Sequence, residues 1–132
     1  MARIWADNIE DRTKANATFR TVLWTGKHSE LTVMSIAPGE EIGLEVHPEH
    51  DQFLRIEAGK ARVEAGAAKD NLSETVDVED DWAFIVPAGT WHNVINTGDE
   101  PLKLYTVYSP ANHEPGTVHK TKAEADAAEA EH

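Results

Sequence analysis

Short apolar or alternating segments, each ended by turn-forming residues, run from about residue 17 to residue 109 of this chain. Alternation with a period of two is typical of β-strands with one buried face. The turn signals are Thr25-Gly26, Pro38-Gly39, Ala58-Gly59, Pro87-Ala88-Gly89 and Thr97-Gly98-Asp99. This pattern predicts an all-β sandwich or barrel.

The predicted strands are Thr18–Trp24, Leu31–Ala37, Ile42–Val46, Gln52–Glu57, Ala61–Glu64, Thr75–Val78, Trp82–Val86, Trp91–Ile95 and Leu102–Tyr108. Beyond them, Thr121 and Glu124 have the spacing of a capping box, which predicts a short C-terminal helix or a frayed tail. We therefore expect a single domain over residues 1–132, with the barrel at about 17–109 and a C-terminal extension at about 110–132.

The charge balance limits the partners that the chain is expected to have. Twelve basic residues face 24 acidic ones, a net charge of −12, whereas nucleic acids and anionic membranes require a positive surface. The absence of cysteine excludes disulfides, thiolate zinc sites and thiol catalysis. The first residues lack the apolar core of a signal peptide, and no segment approaches the ~20 apolar residues that span a bilayer. We expect a cytoplasmic protein without nucleic-acid or membrane partners.

Two segments place metal-capable side chains on strand faces. Glu45 and His47 are two residues apart and therefore point to the same side. Gln52 joins a row of inward-facing apolar residues, where either a metal or a backbone hydrogen bond would satisfy its amide. His92 follows a turn for which we expect type I geometry, with Pro87 at the second position. Together Glu45, His47, Gln52 and His92 predict a metal site inside the barrel.

The other histidines and acidic residues have simpler interpretations. His50 lies three residues after His47, across a proline, so that strand periodicity predicts an exposed loop position. His113 and His119 are predicted to be surface residues, although a tail folding across the barrel mouth would bring His113 near the site. The acid-rich segment 73–81 is expected to be a solvated edge or loop rather than a cation site.

These segments resemble the two sequence motifs of the cupin superfamily. The second motif, Pro-x-Gly-x-x-His-x-x-x-Asn, is matched in full by Pro87, Gly89, His92 and Asn96. In the first motif, counting back from Gly59 places Gln52 at the acidic position, and Glu45 and His47 at the two histidine positions. The likeness covers residues 39–96.

The resemblance implies a double-stranded β-helix, the cupin-type jelly-roll barrel, with one divalent metal ion. Cupins usually bind the metal through three histidines and a glutamate, whereas this chain offers two histidines, a glutamate and a glutamine with the same total charge. Oxygen donors mixed with imidazole suit Mn, Fe, Co, Ni or Zn. A glutamine at the acidic position is similar to two cupin groups, the enzymes that linearise unsaturated uronates and the bacterial hydroxynitrile lyases, which use the metal as a Lewis acid.

Three functions remain open at this point, because one fold hosts many functions. The first is a small metalloenzyme of the isomerase, lyase or dioxygenase type. It would polarise an oxygen of a small carbonyl, enol, sugar or hydroxy compound, with Glu45 or His113 transferring protons. The second is a non-catalytic cupin that binds a small molecule. The third is a stable barrel whose pocket has lost its chemistry.

A homodimer is also expected. Leu44, Val46 and Phe53 are apolar and are predicted to face away from the pocket. A soluble monomer seldom exposes such a surface. Ile4 and Trp5 could cover it in cis or from a partner, and the resemblance implies dimers, which are common among cupins.

Overall fold

The computed structural model describes residues 4–130, and the side chains of residues 4–128. In chain order its elements are α1 (Ile9–Ala15), β1 (Arg20–Thr25), β2 (Glu30–Ile36), β3 (Asp51–Ala58), β4 (Lys60–Gly66), β5 (Glu74–Glu79), β6 (Ala83–Val86), β7 (Trp91–Asn96), β8 (Leu102–Ser109), β9 (Val118–His119) and α2 (Lys122–Ala130). The strands form a six-stranded sheet of order β6-β3-β8-β2-β1-β9 and a three-stranded sheet of order β5-β4-β7. All pairings are antiparallel, and the predicted all-β fold is confirmed.

The inward-facing side chains change from apolar to polar along the strands. Towards one end the large fully buried side chains are Met34, Ile36, Leu54, Ile56, Leu102 and Leu104. Towards the other end the same strands continue inward with Glu30, Thr32, Gln52, Thr106 and Tyr108. One end of the interior is therefore a hydrophobic core, in which each large side chain contributes about 1.5–3 kcal/mol by burial. The other end is polar.

The predicted strand Ile42–Val46 is not a regular strand. Glu41 pairs with Ile95 and Glu45 pairs with His92, so that four steps along one segment match three steps along β7. This mismatch is a β-bulge. Residues four apart in a regular strand share a face, and Glu45 would then face outward like the exposed Glu41. The bulge turns Glu45 to the inner face.

Gly43 makes the bulge possible. Its φ of +109° lies in a region that only glycine adopts without strain. Oδ1 of the buried Asn93 accepts a hydrogen bond from the Gly43 backbone N–H at 2.9 Å and holds the segment against β7. The structure therefore explains the glycine at this position by backbone conformation.

Two elements were not predicted. Helix α1 begins after Asn8, whose Oδ1 accepts a hydrogen bond from the Asp11 backbone N–H at 3.0 Å. The helix packs against the outer face of β2, β3 and β8, and its Thr13 is fully buried. The two-residue strand β9 extends the larger sheet, with His119 opposite Arg20.

The predicted C-terminal helix is confirmed as α2. The backbone N–H of Glu124 donates to Oγ1 of Thr121 at 3.1 Å, as in a capping box, while the Glu124 carboxylate accepts from the Lys120 backbone N–H at 2.6 Å. Ala125 packs into the core and fixes the helix over the barrel. Between residues 4 and 130, no helix has the length and apolar character to cross a membrane. The extent of the domain stays a prediction.

Gly43→Ala tests the bulge. A Cβ added at this position would have Lys122 Nζ as its nearest neighbour, at 3.8 Å, so the substitution adds backbone strain without a clash. We expect the free energy of unfolding to fall by about 1–3 kcal/mol, as measured by urea denaturation. Gly98→Ala is the matched control, since Gly98 has no positive φ and its nearest neighbour lies at 3.6 Å. Equal, small changes in both variants would contradict the assignment.

Candidate metal centre and cavity

Glu45 and His92 lie directly opposite each other on neighbouring segments. Two backbone hydrogen bonds join them, each 2.9 Å long, one from Glu45 N to His92 O and one from His92 N to Glu45 O. Residues paired in this way present their side chains on the same face. Two residues later, the His47 carbonyl accepts from the Gly89 backbone N–H at 2.9 Å. Backbone bonds therefore align the two motif segments.

The turn before β7 differs from the predicted type I turn. The Thr90 backbone N–H donates to the Pro87 carbonyl at 3.2 Å, so Pro87 is the first residue of the turn and not the second. Gly89 is then the third residue, and its φ of +81° is what a type II turn requires there. The prediction placed the turn one residue too early.

Asn96, the last residue of the second motif, has a structural role. Its Nδ2 donates to the carbonyls of Ile36 and Glu100, both at 2.9 Å, and its Oδ1 accepts from the Gly98 backbone N–H at 2.9 Å. These bonds tie the β7–β8 turn to the end of β2.

The side chains of Glu45, His47 and His92 converge inside the polar end of the barrel. Oε1 of Glu45 lies 3.2 Å from Nε2 of His47 and 3.5 Å from Nε2 of His92. Ligand atoms of all three lie within 4.8 Å of one another. The structure thus brings together three of the four residues predicted to bind metal, in a cluster that could hold an ion.

Three buried atoms of the predicted ligands form no hydrogen bond of good geometry, although two of them lie 3.2 and 3.5 Å from Oε1 of Glu45. They are Nε2 of His47, Nε2 of His92 and Oε1 of Gln52. A buried polar atom left unsatisfied costs about 1–3 kcal/mol. All three can donate a lone pair to a cation. With the Glu45 carboxylate, the two imidazoles form a set of nitrogen and oxygen donors that fits a divalent transition metal, and Oε1 of Gln52 is a further buried oxygen donor.

Gln52 is held by a side-chain contact and not by the backbone bond considered as an alternative. Its Nε2 donates to Oγ1 of Thr106 at 3.1 Å, which leaves Oε1 unpaired. Gln52 is opposite Tyr108 in the sheet, and the Tyr108 ring centroid lies 5.5 Å from that of His47. Gln52 therefore belongs to the same polar end of the interior.

His92 is fixed in one tautomer. Its Nδ1 lies 3.0 Å from the Thr90 carbonyl oxygen, which can only accept, so Nδ1 carries the proton. Nε2 then keeps a free lone pair directed at the cluster. A second hydrogen bond of this kind is typical of histidines that bind metals.

Glu45 is ionised in this environment. Burial alone would raise its pKa, but the contacts with His47 and His92 outweigh burial and hold the pKa at about 2. The convergence of both imidazoles on Oε1 of Glu45 favours a role of this carboxylate as a cation ligand over a role as a base.

A cavity of about 520 Å³ opens beside the cluster. Glu45 and His47 form part of its wall, and His113, His119 and Ala125 of the C-terminal segment form another part. Sites for small molecules usually have volumes of about 300–1,000 Å³. The cavity is therefore large enough for a small ligand in contact with the cluster.

His50 does not lie where the sequence predicted. His50 is half-buried and lines the cavity, with Nε2 3.1 Å from the Ala111 carbonyl oxygen and its ring centroid 5.9 Å from that of His47. The exposed-loop prediction was wrong because a turn, and not a strand, connects His47 to His50.

His113 is held in the cavity wall by Glu30, a residue that sequence reasoning missed. Nδ1 of His113 lies 2.9 Å from Oε2 of the fully buried Glu30. Oε1 of Glu30 accepts from the backbone N–H groups of Asn112 and His113 at 3.0 and 2.7 Å, and Thr32 Oγ1 donates to Oε2 at 2.6 Å. Burial opposes ionisation of Glu30, but these contacts outweigh it and lower its pKa. The tail crosses the barrel mouth and brings His113 into the cavity wall, as the alternative interpretation of His113 required, whereas the prediction of surface positions for His113 and His119 was wrong.

The acid-rich segment agrees with its solvated interpretation. Carboxylate oxygens of Glu57, Asp80 and Asp81 lie within 4.8 Å of one another. Arg55 is within 3.3 Å of Glu57 and 3.2 Å of Asp81, so that a side-chain cation already compensates this cluster. Both aspartates are exposed.

Comparison with known proteins identifies relatives over most of the chain. The Cupin domain family model matches residues 32–108. The uncharacterized protein YrkC of Bacillus subtilis (strain 168) is 62% identical over 122 residues, which cover 92% of this chain and 66% of YrkC. The chain thus spans just under two thirds of the length of that relative.

Solved structures share the fold. The crystal structure of BH2720 from Bacillus halodurans has 57% identity and a TM-score of 0.94, with 95% of each chain covered. The Bacillus subtilis oxalate decarboxylase, studied for its Mn(II) centres, has 26% identity and a TM-score of 0.60, with 67% of this chain and 23% of that chain covered.

Glu30→Gln tests the buried carboxylate through its pH dependence. The folded-state pKa of Glu30 lies below the ordinary value of 4.5, so its ionised form stabilises the fold above pH 4.5 and this contribution is lost as the pH falls below that value. We expect the variant to be less stable by about 1.5–3 kcal/mol near neutral pH, with the difference shrinking towards pH ~3. Urea denaturation across this range measures it, with the exposed-site variant Glu49→Gln as control. A difference that grows on acidification would contradict the assignment.

Proposed function

The chain belongs to the Cupin domain family, and we propose that it holds a divalent metal ion at Glu45, His47, Gln52 and His92 and uses it on a small oxygen-containing molecule. The observation that carries this proposal is the convergence of Glu45, His47 and His92, with ligand atoms within 4.8 Å of one another, together with the buried, unpartnered Oε1 of Gln52. Without a cation, the buried Gln52 oxygen has no hydrogen-bond partner, and the two imidazole nitrogens make no hydrogen bond of good geometry although they lie 3.2 and 3.5 Å from Oε1 of Glu45.

The charges of the donor set support a divalent ion. Glu45 contributes one negative charge, and the two imidazoles and the amide are neutral donors. Mn, Fe, Co, Ni and Zn all accept such a mixed nitrogen and oxygen set. The Mn(II) centres of the oxalate decarboxylase show that a protein with a similar fold binds such an ion. The identity of the ion in this chain stays open within this group.

A bound cation would supply Lewis-acid polarisation of a carbonyl or hydroxyl oxygen in the cavity. The remaining chemistry falls to the residues of the chain. Because Nδ1 of His113 is engaged by Glu30, its Nε2 is the nitrogen left for a ligand, and the buried carboxylate fixes this orientation. We infer that His113, and not Glu45, moves protons to and from the ligand.

The Glu30–His113 pair also favours an enzyme over a non-catalytic binding protein. A fully buried carboxylate that receives bonds from two backbone N–H groups, a hydroxyl and an imidazole is costly to assemble. Passive binding of a ligand needs no such oriented imidazole, whereas proton transfer does. Isomerase, lyase and dioxygenase reactions all remain candidates. The cytoplasmic location expected from the sequence also stays a prediction.

Metal content of histidine variants tests the proposed centre. We expect His47→Ala and His92→Ala each to weaken metal binding by at least about tenfold, because each removes a direct ligand. Untagged apoprotein is incubated with Mn, Fe, Co, Ni or Zn, desalted, and its metal stoichiometry measured by elemental analysis. His50→Ala is the matched control, since it removes a cavity imidazole outside the cluster. Equal losses in all three variants, or wild type that retains no metal, would overturn the proposal.

We further propose that the chain forms a homodimer through the outer face of the larger sheet. Residues in register across five strands form an apolar row on this face, made of Trp24, Leu31, Val107, Phe53 and Ile85. Ile85 is 66% exposed, and Ile4, which could have covered this face in cis, is 81% exposed. A second copy of the chain would remove this row from water.

Light scattering at micromolar concentration tests the dimer. We expect wild type to have twice the mass of one chain and Ile85→Glu to have the mass of one chain, because the substitution places a charge on the most exposed residue of the apolar row. Val76→Glu is the control, since Val76 is 41% exposed on β5, in the other sheet. A monomeric wild-type mass would refute the proposal.

A further inference from the structure

Arg20 is a cation in the wall of the cavity. It lies on β1 opposite Met34, is 7% exposed and lines the cavity. Its Nη1 lies 3.4 Å from Nδ1 of His119, and its Cζ lies 5.3 Å from the ring centroid of Phe19. Neither contact supplies a negative charge.

The charge of Arg20 has no counter-charge in the described part of the chain. Its Nε is buried without a hydrogen-bond partner, and none of the carboxylates described between residues 4 and 128 forms an ion pair with it. The other described arginines do have such partners: Arg12 pairs with Asp7, Arg55 with Glu57 and Asp81, and Arg62 with Asp77. The chain has 24 acidic residues, so many carboxylates are available to pair with an arginine. The absence of such a pair at Arg20 therefore needs an explanation.

Burying a guanidinium without a counter-ion destabilises the folded protein, and a well-placed anion would offset this cost. Its planar fork of N–H donors matches the two oxygens of a carboxylate. Glu45 and His47 form another part of the same cavity wall. A small molecule with a carboxylate at one end and a second oxygen at the other could therefore contact Arg20 and the metal cluster together.

We propose that Arg20 binds the carboxylate of a small organic acid in this cavity, and that a second oxygen of the acid lies at the cluster of Glu45, His47 and His92. The contact at the cluster rests on the proposed function, whereas the contact at Arg20 does not. One guanidinium matches the single charge of a carboxylate. A phosphate dianion would meet added repulsion from Glu45 and Glu114, which also line the cavity.

Binding of matched probes tests the proposal. The probes are lactate, its uncharged analogue lactamide, pyruvate and inorganic phosphate, each titrated into EDTA-treated and into metal-loaded protein and followed by ligand-observed NMR. We expect lactate and pyruvate to bind at least about tenfold more tightly than lactamide and phosphate, the usual size of one charge-assisted contact. Lactamide binding as tightly as lactate, or phosphate binding more tightly than lactate, would overturn the proposal.

Variants of Arg20 separate ligand binding from a structural role. Arg20→Met keeps the length of the side chain, and we expect it to lose the preference for lactate over lactamide while the melting temperature of the ligand-free protein does not fall. Arg62→Met, which removes an exposed arginine on β4, is the control and should bind as wild type does.

Arg20→Lys keeps the charge without the planar fork of N–H donors, so it should bind lactate more weakly than wild type but still prefer it to lactamide. Because Arg20→Lys retains a charge at this position, it serves as the test if Arg20→Met does not fold. A lower melting temperature with unchanged lactate affinity would make Arg20 a structural residue and overturn the proposal.

The two proposals fail in different ways. Lactate binding to EDTA-treated protein that depends on Arg20, in a chain that retains no metal, would support the carboxylate site and refute the metal centre. Metal binding at full stoichiometry without a preference for lactate over lactamide would support the metal centre and refute the carboxylate site.

Discussion

Two backbone hydrogen bonds between Glu45 and His92 join the parts of the chain on which the site depends. One of these residues follows the bulge at Gly43, and the other follows the turn at Gly89. Each turn or bulge requires a glycine with positive φ, at +109° and +81°. Both distortions are needed before the two side chains face the interior at the same level. The position of the cluster therefore depends on backbone geometry before it depends on the identity of the side chains.

Much of the fold could be predicted, because apolar and polar residues alternate along a strand that has one buried face. Strand β8, for example, alternates buried and half-buried residues along its length up to Ser109. The candidate cluster could be predicted for a similar reason, since residues two apart, such as Glu45 and His47, keep the same side even next to a bulge. The resemblance to cupins added Gln52 through its distance from Gly59.

Other features depend on tertiary structure that no local pattern contains. The positions of His113 and His119 follow from a tail that crosses the barrel mouth, and that path is set in part by the contacts of Glu30 with Asn112 and His113, about 80 residues away in sequence. The inward position of Glu30 did have a signal, because it alternates in step with the buried Thr32. Helix α1 also had one, in Asn8 at the N-cap with acidic residues in the first turn and basic ones in the last.

The division of the interior into an apolar end and a polar end separates the residues that fold the chain from those that would act on a ligand. Met34, Leu54 and Leu104 supply cohesion, while the polar positions further along the same strands contribute little to it. A lineage carrying this barrel can therefore exchange side chains at the polar end with little loss of foldability, except at positions such as Glu30 that hold other segments in place. Residues that contact the ligand can then change in evolution without preventing folding, so that descendants of one ancestor can come to act on different substrates.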